Sequence, residues 1–177
     1  MLTNARVAVL GIAAWSGTGK TTLLVQVLPR LRAQGLRVGL IKYSHHAFEL
    51  DTPGKDSYEL RKAGASPVLL ASPARWALMA ETPALAEPAL DDLLGRMDQS
   101  GLDLILVEGY RHEAFPKLEL YRSSLGKPPL YPSDAQVLAV ATDGPLPAPP
   151  GVPVLDLNRP EEVAAFILDY VAGRPGG

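Results

Sequence analysis

Residues 7–22, VAVLGIAAWSGTGKTT, constrain the fold more than any other stretch of the chain. The apolar residues Val7, Val9, Leu10 and Ile12 read as a short buried strand. A glycine-rich turn follows and closes on Gly19-Lys20-Thr21, where a leucine-rich helix begins. That succession is the setting a Walker A phosphate loop requires. The motif reads A-W-S-G-T-G-K-T, with Ala14 where a first glycine commonly stands. The tight backbone turn then rests on Gly17 and Gly19.

The chemistry follows from this spacing. Successive N–H groups from Ser16 through Gly17, Thr18, Gly19, Lys20 and Thr21 are expected to point into one concavity. Together with the helix N-terminus they make a cradle for phosphate. Lys20 is expected to reach the β- and γ-phosphates as a point charge. The Thr21 hydroxyl is expected on Mg²⁺, an ion that takes few protein ligands and keeps several waters.

The 177 residues suit one domain, 1–177. A hydrophobic content of 47% against 20% charged residues allows a substantial core. A net charge of −2 argues against a strong grip on nucleic acid or anionic lipid. The absence of cysteine excludes disulfides and thiolate metal sites. Arg6 followed by an apolar run resembles a secretory signal, but cleavage there would remove the strand that carries the phosphate loop. No apolar run approaches the ~20 residues of a membrane helix, and a cytoplasmic location is expected.

Beyond the phosphate loop, the first helix is expected over residues 20–34, stopped by Gly35. Its core face is Leu23, Leu24, Val27, Leu28 and Leu31, and Pro29 should kink it. Strands are expected over 36–42, 67–71, 76–81, 102–107, 117–121, 136–142 and 153–157, with short helices over 56–63 and 87–99. A last helix over 159–172 has Asn158 as N-cap and Glu161 three residues on. The Pro/Gly-rich segments 123–134 and 143–153 read as surface loops. Alternating strands and helices specify a layered α/β fold with a mainly parallel sheet.

Strands of a parallel sheet share one carboxyl edge, and the phosphate loop lies on it. Glu108, directly after Leu104-Ile105-Leu106-Val107, is therefore expected near Lys20, to bind the metal through water or to orient a nucleophilic water. Asp103 starts that strand at the opposite edge and reads as structural. Asp51 and Asp56 flank Pro53-Gly54-Lys55 and suit either a nucleotide-sensing loop or a turn with a helix cap. Adjacent His45 and His46 are poorly spaced for a metal pair. With Lys42, Lys55, Arg61 and Lys62 they offer a basic rim for a second phosphorylated ligand. Trp15 either covers the helix or lies beside the nucleotide. No Asn-Lys-x-Asp motif names a guanine base, and no second lysine stands near the start of the phosphate loop.

Several blocks together resemble the MobB family of molybdopterin-guanine dinucleotide biosynthesis proteins: AAWSGTGKTTL at 13–23, the His-His pair before DTPGKDSYELRKAGA at 51–65, and LILVEGYRHEAFPKLELYR at 104–122. AVATD at 139–143 and LDLNRPEEVAAFI at 155–167 extend the resemblance over nearly the whole chain. It implies a P-loop NTPase-like three-layer fold, homodimers, and GTP binding with weak hydrolysis. The implied partner is a MobA-like guanylyltransferase that attaches GMP to molybdopterin. Carried onto this chain, it implies phosphate contacts from Gly17, Gly19, Lys20, Thr21 and Thr22, magnesium-region acids at Glu108 and Asp56, and a base contact at Asp143. An ATP-dependent small-molecule kinase is the alternative, and its lid would have only Arg61 and Lys127 to offer.

Overall fold

Six segments form one sheet: β1 (Ala8–Ala14), β2 (Val38–Lys42), β5 (Leu104–Glu108), β6 (Lys117–Tyr121), β7 (Val137–Thr142) and β8 (Val154–Asp156). They pair edge to edge, every neighbour parallel, in the order β2-β5-β1-β6-β7-β8. The computed structural model describes residues 2–44, 48–82 and 87–173. Read above as one domain, the chain packs as two compact units, Met1–Tyr43 with Ala89–Gly177 and Ser44–Pro88.

The parallel sheet belongs to the first unit and is covered on both faces, which is why its central strands β1, β5 and β7 are almost wholly apolar, while β6 buries Lys117 and Glu119. Leu10, Ile12, Leu104, Leu106, Leu118 and Ala139 pack against α1 (Lys20–Ala33) and α4 (Pro160–Ala172). The alternate residues Val9, Ile105 and Val107 face Leu90 and Leu94 of α3 (Leu90–Arg96), with Phe115 between. Helices on both faces of one sheet make this the three-layer α/β fold. Helix α1 buries Leu23, Leu24, Val27 and Leu31, and runs on through Pro29. Gly35 follows it in the left-handed conformation, with φ at 86°.

The step from β5 to β6 uses no helix. Residues 109–116 carry the chain back over β1, whose two neighbours are β5 and β6. They cross it at Gly11, which donates its N–H to the Pro116 carbonyl at 2.8 Å. A β-carbon on Gly11 would lie 2.9 Å from the Phe115 ring, so the crossing needs glycine there.

Several expected boundaries shift by a residue or two, and two changes have a local consequence. The 87–99 helix is confined to Leu90–Arg96. The N-cap of α4 is Arg159 rather than Asn158, because Pro160 takes the first helical position, where its missing N–H costs nothing. Asn158 instead donates its N–H to Asp156 at 2.8 Å. Asp103 is structural: it accepts from the Arg37 backbone and guanidinium, and that hydrogen bonding holds its carboxyl below the usual range.

The second unit contains α2 (Asp56–Lys62) and an antiparallel hairpin of β3 (Val68–Ser72) and β4 (Arg75–Met79). The Ser72 hydroxyl closes its turn by accepting from the N–H groups of Ala74 and Arg75. Arg61 is held between Glu49 and Glu81, and Lys62 pairs with Glu49 at 3.2 Å.

Candidate functional site

Residues 15–19 link β1 to α1, and two of them adopt the left-handed conformation, Gly17 with φ 85° and Gly19 with φ 93°. Nothing crowds a side chain at either place, so the demand for glycine is conformational. Thr18 is 1% exposed, and both its N–H and its hydroxyl donate to the Trp15 carbonyl, at 3.2 and 2.7 Å. That corrects one expectation: Thr18 closes the turn instead of aiming its N–H into the concavity. Gly19 is the N-cap of α1, no side chain caps it, and the first turn holds no acid. The free N–H groups of that turn and the positive end of the helix dipole leave an anion site. The resulting cavity of about 450 Å³ is lined by residues 15–22 and by Glu108.

Strand register explains the acid. Glu108 pairs with Ile12 of β1 and with Lys42 of β2, at the carboxyl edge of the sheet. There its Oε1 meets Lys20 Nζ at 2.9 Å and Lys42 Nζ at 3.7 Å, with 15% of the Glu108 side chain exposed. Thr21 and Glu108 thus line one cavity, and a hydroxyl plus one carboxylate is the small donor set Mg²⁺ accepts beside phosphate oxygens. Among the described residues no cluster of three or more His, Cys, Asp or Glu competes with it.

Comparison with known proteins supplies the family. Residues 9–143 match the model described as "MobB: Molybdopterin guanine dinucleotide synthesis protein B". The chain belongs to the MobB family. The "Molybdopterin-guanine dinucleotide biosynthesis adapter protein" of Escherichia coli (strain K12) is 50% identical over 171 residues, covering 96% of this chain and 97% of that one. The protein of the same name in Haemophilus influenzae is 44% identical, over 95% of this chain and 92% of its own. Among solved structures, a crystal structure of molybdopterin-guanine biosynthesis protein B (mobB) superposes with a TM-score of 0.70 at 26% identity. It spans 91% of this chain and 98% of that one. A MobB homologue from Bacillus stearothermophilus gives 0.69 at 27% identity, over 94% and 99%. Sheet, helices and phosphate loop are therefore those of a P-loop NTPase-like fold.

Within this MobB-family site the remaining candidates separate. Asp143 directly follows β7 and does not line the cavity. Its carboxylate meets Arg122 Nη1 at 2.6 Å, and Arg122 Nε donates to the Thr18 carbonyl at 3.2 Å. Asp143 is thus joined to the phosphate loop through one arginine, which sequence reading had passed over. Asp56 is the first residue of α2, in the second unit. Asp51 makes the bonds of a turn former, accepting from the Thr52 N–H and the Ser57 hydroxyl. Of the basic rim, Arg61 and Lys62 are neutralised by Glu49 and Glu81, while Lys42 faces Glu108. His45 and His46 lie outside the described residues.

Trp15 lines the cavity. Its indole N–H donates to the Pro128 carbonyl at 2.8 Å. The loop around Pro128 is tied to Glu119, 1% exposed, which accepts the N–H groups of Leu130 and Tyr131 at 2.7 and 2.8 Å. Burial pushes the Glu119 carboxyl above the usual range, against those two bonds.

Proposed function

We propose that the chain is a GTP-binding adapter of molybdenum-cofactor maturation, assisting the conversion of molybdopterin to molybdopterin-guanine dinucleotide. One observation carries the reading: a cavity lined by residues 15–22 in which Lys20 and Glu108 stand 2.9 Å apart, in a chain of the MobB family. The names of the relatives at 50% and 44% identity support the pathway and the adapter role.

In this reading the phosphates of Mg·GTP rest on the amides of Gly17, Gly19, Lys20, Thr21 and Thr22, with Ser16 and Thr18 shaping the loop. Lys20 neutralises the β- and γ-phosphates. Thr21 and Glu108 serve the magnesium. Asp143 contacts the base. Hydrolysis is weak and proceeds through a water oriented near Glu108. The partners are a MobA-like guanylyltransferase, molybdopterin and a second copy of the chain. A cytoplasmic location belongs to the same proposal, and no described helix is long and apolar enough to cross a membrane. The kinase alternative loses ground, because Arg61, the one arginine of its lid, is already held between two glutamates.

Calorimetric titration of Mg·GTP, a non-hydrolysable analogue and Mg·ATP tests the reading. Wild type should prefer GTP. Lys20→Ala should weaken binding on the order of 100-fold, the scale of losing a charge-assisted phosphate contact of ~3 kcal/mol. A folded Lys20→Ala protein that keeps its GTP affinity overturns the site assignment, and a preference for ATP restores the kinase.

A further inference from the structure

The chain leaving Glu108 bends through two successive left-handed residues, Gly109 with φ 104° and Tyr110 with φ 53°. That conformation is unfavourable for a bulky aromatic residue, at ~1 kcal/mol or more, and persists only where packing imposes it. Tyr110 is 5% exposed, and its ring lies 5.2 Å from that of Tyr43. The bend decides where the next side chain goes. The Arg111 guanidinium carbon sits 4.2 Å from the centre of the Trp15 ring, and it is Trp15 that lines the phosphate cavity.

The ring is a fixed plate, because the Pro128 carbonyl holds its indole N–H and Glu119 holds the loop that carries Pro128. Lys127 Nζ stands 5.7 Å from the same ring. Arg111 Nε donates to His112 Nε2 at 3.1 Å, and among the described residues no carboxylate pairs with this guanidinium. The phosphate loop has no second lysine near its start; Arg111 over Trp15 brings a cation to that place. It follows Glu108, the partner of Lys20, by three residues in the chain.

We propose that Arg111 reads the terminal phosphate: Trp15 holds its guanidinium at the cavity wall, and the γ-phosphate of a bound nucleoside triphosphate draws it off the ring. This rests on the nucleotide reading above. Magnitudes set the direction. A cation–π contact at a partly exposed ring is weaker than a charge-assisted bond from arginine to phosphate, which can also be bidentate. A triphosphate therefore outcompetes the ring, whereas a diphosphate has no γ-phosphate to reach that place and leaves Arg111 stacked.

Trp15 reports on this directly. The chain has two tryptophans, so Trp76→Phe leaves Trp15 as the sole indole. In that background, Trp15 emission is followed while Mg·GTPγS or Mg·GDP is titrated. The expected result is a shift in emission with the triphosphate and none with the diphosphate. Arg111→Ala should abolish the triphosphate response and lower the triphosphate-to-diphosphate affinity ratio about tenfold, ~1.4 kcal/mol, with the GDP affinity changed less than twofold. Arg111→Lys should keep part of the ratio. An unchanged ratio in folded Arg111→Ala, or equal emission responses to both nucleotides, overturns the proposal while leaving the nucleotide reading intact. Binding of neither nucleotide by wild type overturns the nucleotide reading itself.

Discussion

At the scale of single residues, the site is governed by where one carboxylate meets two cations. Glu108 lies 2.9 Å from Lys20 and 3.7 Å from Lys42, so its charge works in two directions. It orders both lysines at the cavity, and it repels incoming phosphate unless a divalent cation stands between them. Glu108→Gln keeps the shape and removes the charge. The expected outcome is tighter GTP binding in EDTA and a smaller gain on adding Mg²⁺. The ratio of the two affinities should fall on the order of tenfold, ~1.4 kcal/mol. Calorimetry with and without Mg²⁺ checks this, and an unaltered ratio would remove Glu108 from the metal's surroundings. The same scale separates ion pairs that resemble each other in sequence. Arg37–Asp103 is largely solvent-exposed and contributes little, whereas Lys117, 1% exposed, is held by Asp134 at 2.9 Å with Phe115 beneath it.

At the scale of elements, the legible parts were those written in local pattern. Leu104–Glu108 and Val137–Thr142 announce themselves as strands because a sheet covered on both faces makes them apolar up to their last residue. The phosphate loop was legible because its glycines, lysine and threonine occupy fixed offsets. Contacts between distant segments were not. Nothing near Arg122 signals Asp143 or Thr18, and nothing near Trp15 signals Arg111 or Pro128, since each contact depends on which strand lies beside which. The 109–116 crossover is the clearest instance, because its one sequence trace is a glycine in the middle of a core strand. A β-carbon at Gly11 would meet Phe115 at 2.9 Å and Lys117 Cγ at 3.0 Å. Gly11→Ala should therefore destabilise the fold by ~1–3 kcal/mol, the usual cost of overpacking. Urea denaturation would show a lower midpoint at unchanged slope; an unshifted midpoint would mean the crossover has room to move.

At the scale of the whole molecule, the hairpin of the second unit carries the argument for a second copy of the chain. Leu69 pairs with Leu78 and Ala71 with Trp76, so these four residues share one face of β3 and β4. Leu69 is 62% exposed, Trp76 66% and Leu78 57%, an apolar face that a soluble monomer rarely displays. A two-stranded hairpin is marginal alone and gains most from cover of its apolar side. A copy of itself would supply that cover, because a two-fold axis would bring the same face against itself and close the assembly at two chains. We therefore expect a dimer in sedimentation velocity at micromolar concentration, with Leu69→Glu and Leu78→Glu together yielding monomers. The double variant places like charges directly opposite each other on one face, so circular dichroism must first establish that it folds. Trp76→Ser, which trims the face without adding charge, should weaken the dimer more than tenfold and serves as the second test. A wild-type monomer, or a dimer indifferent to both variants, would exclude this face as the contact.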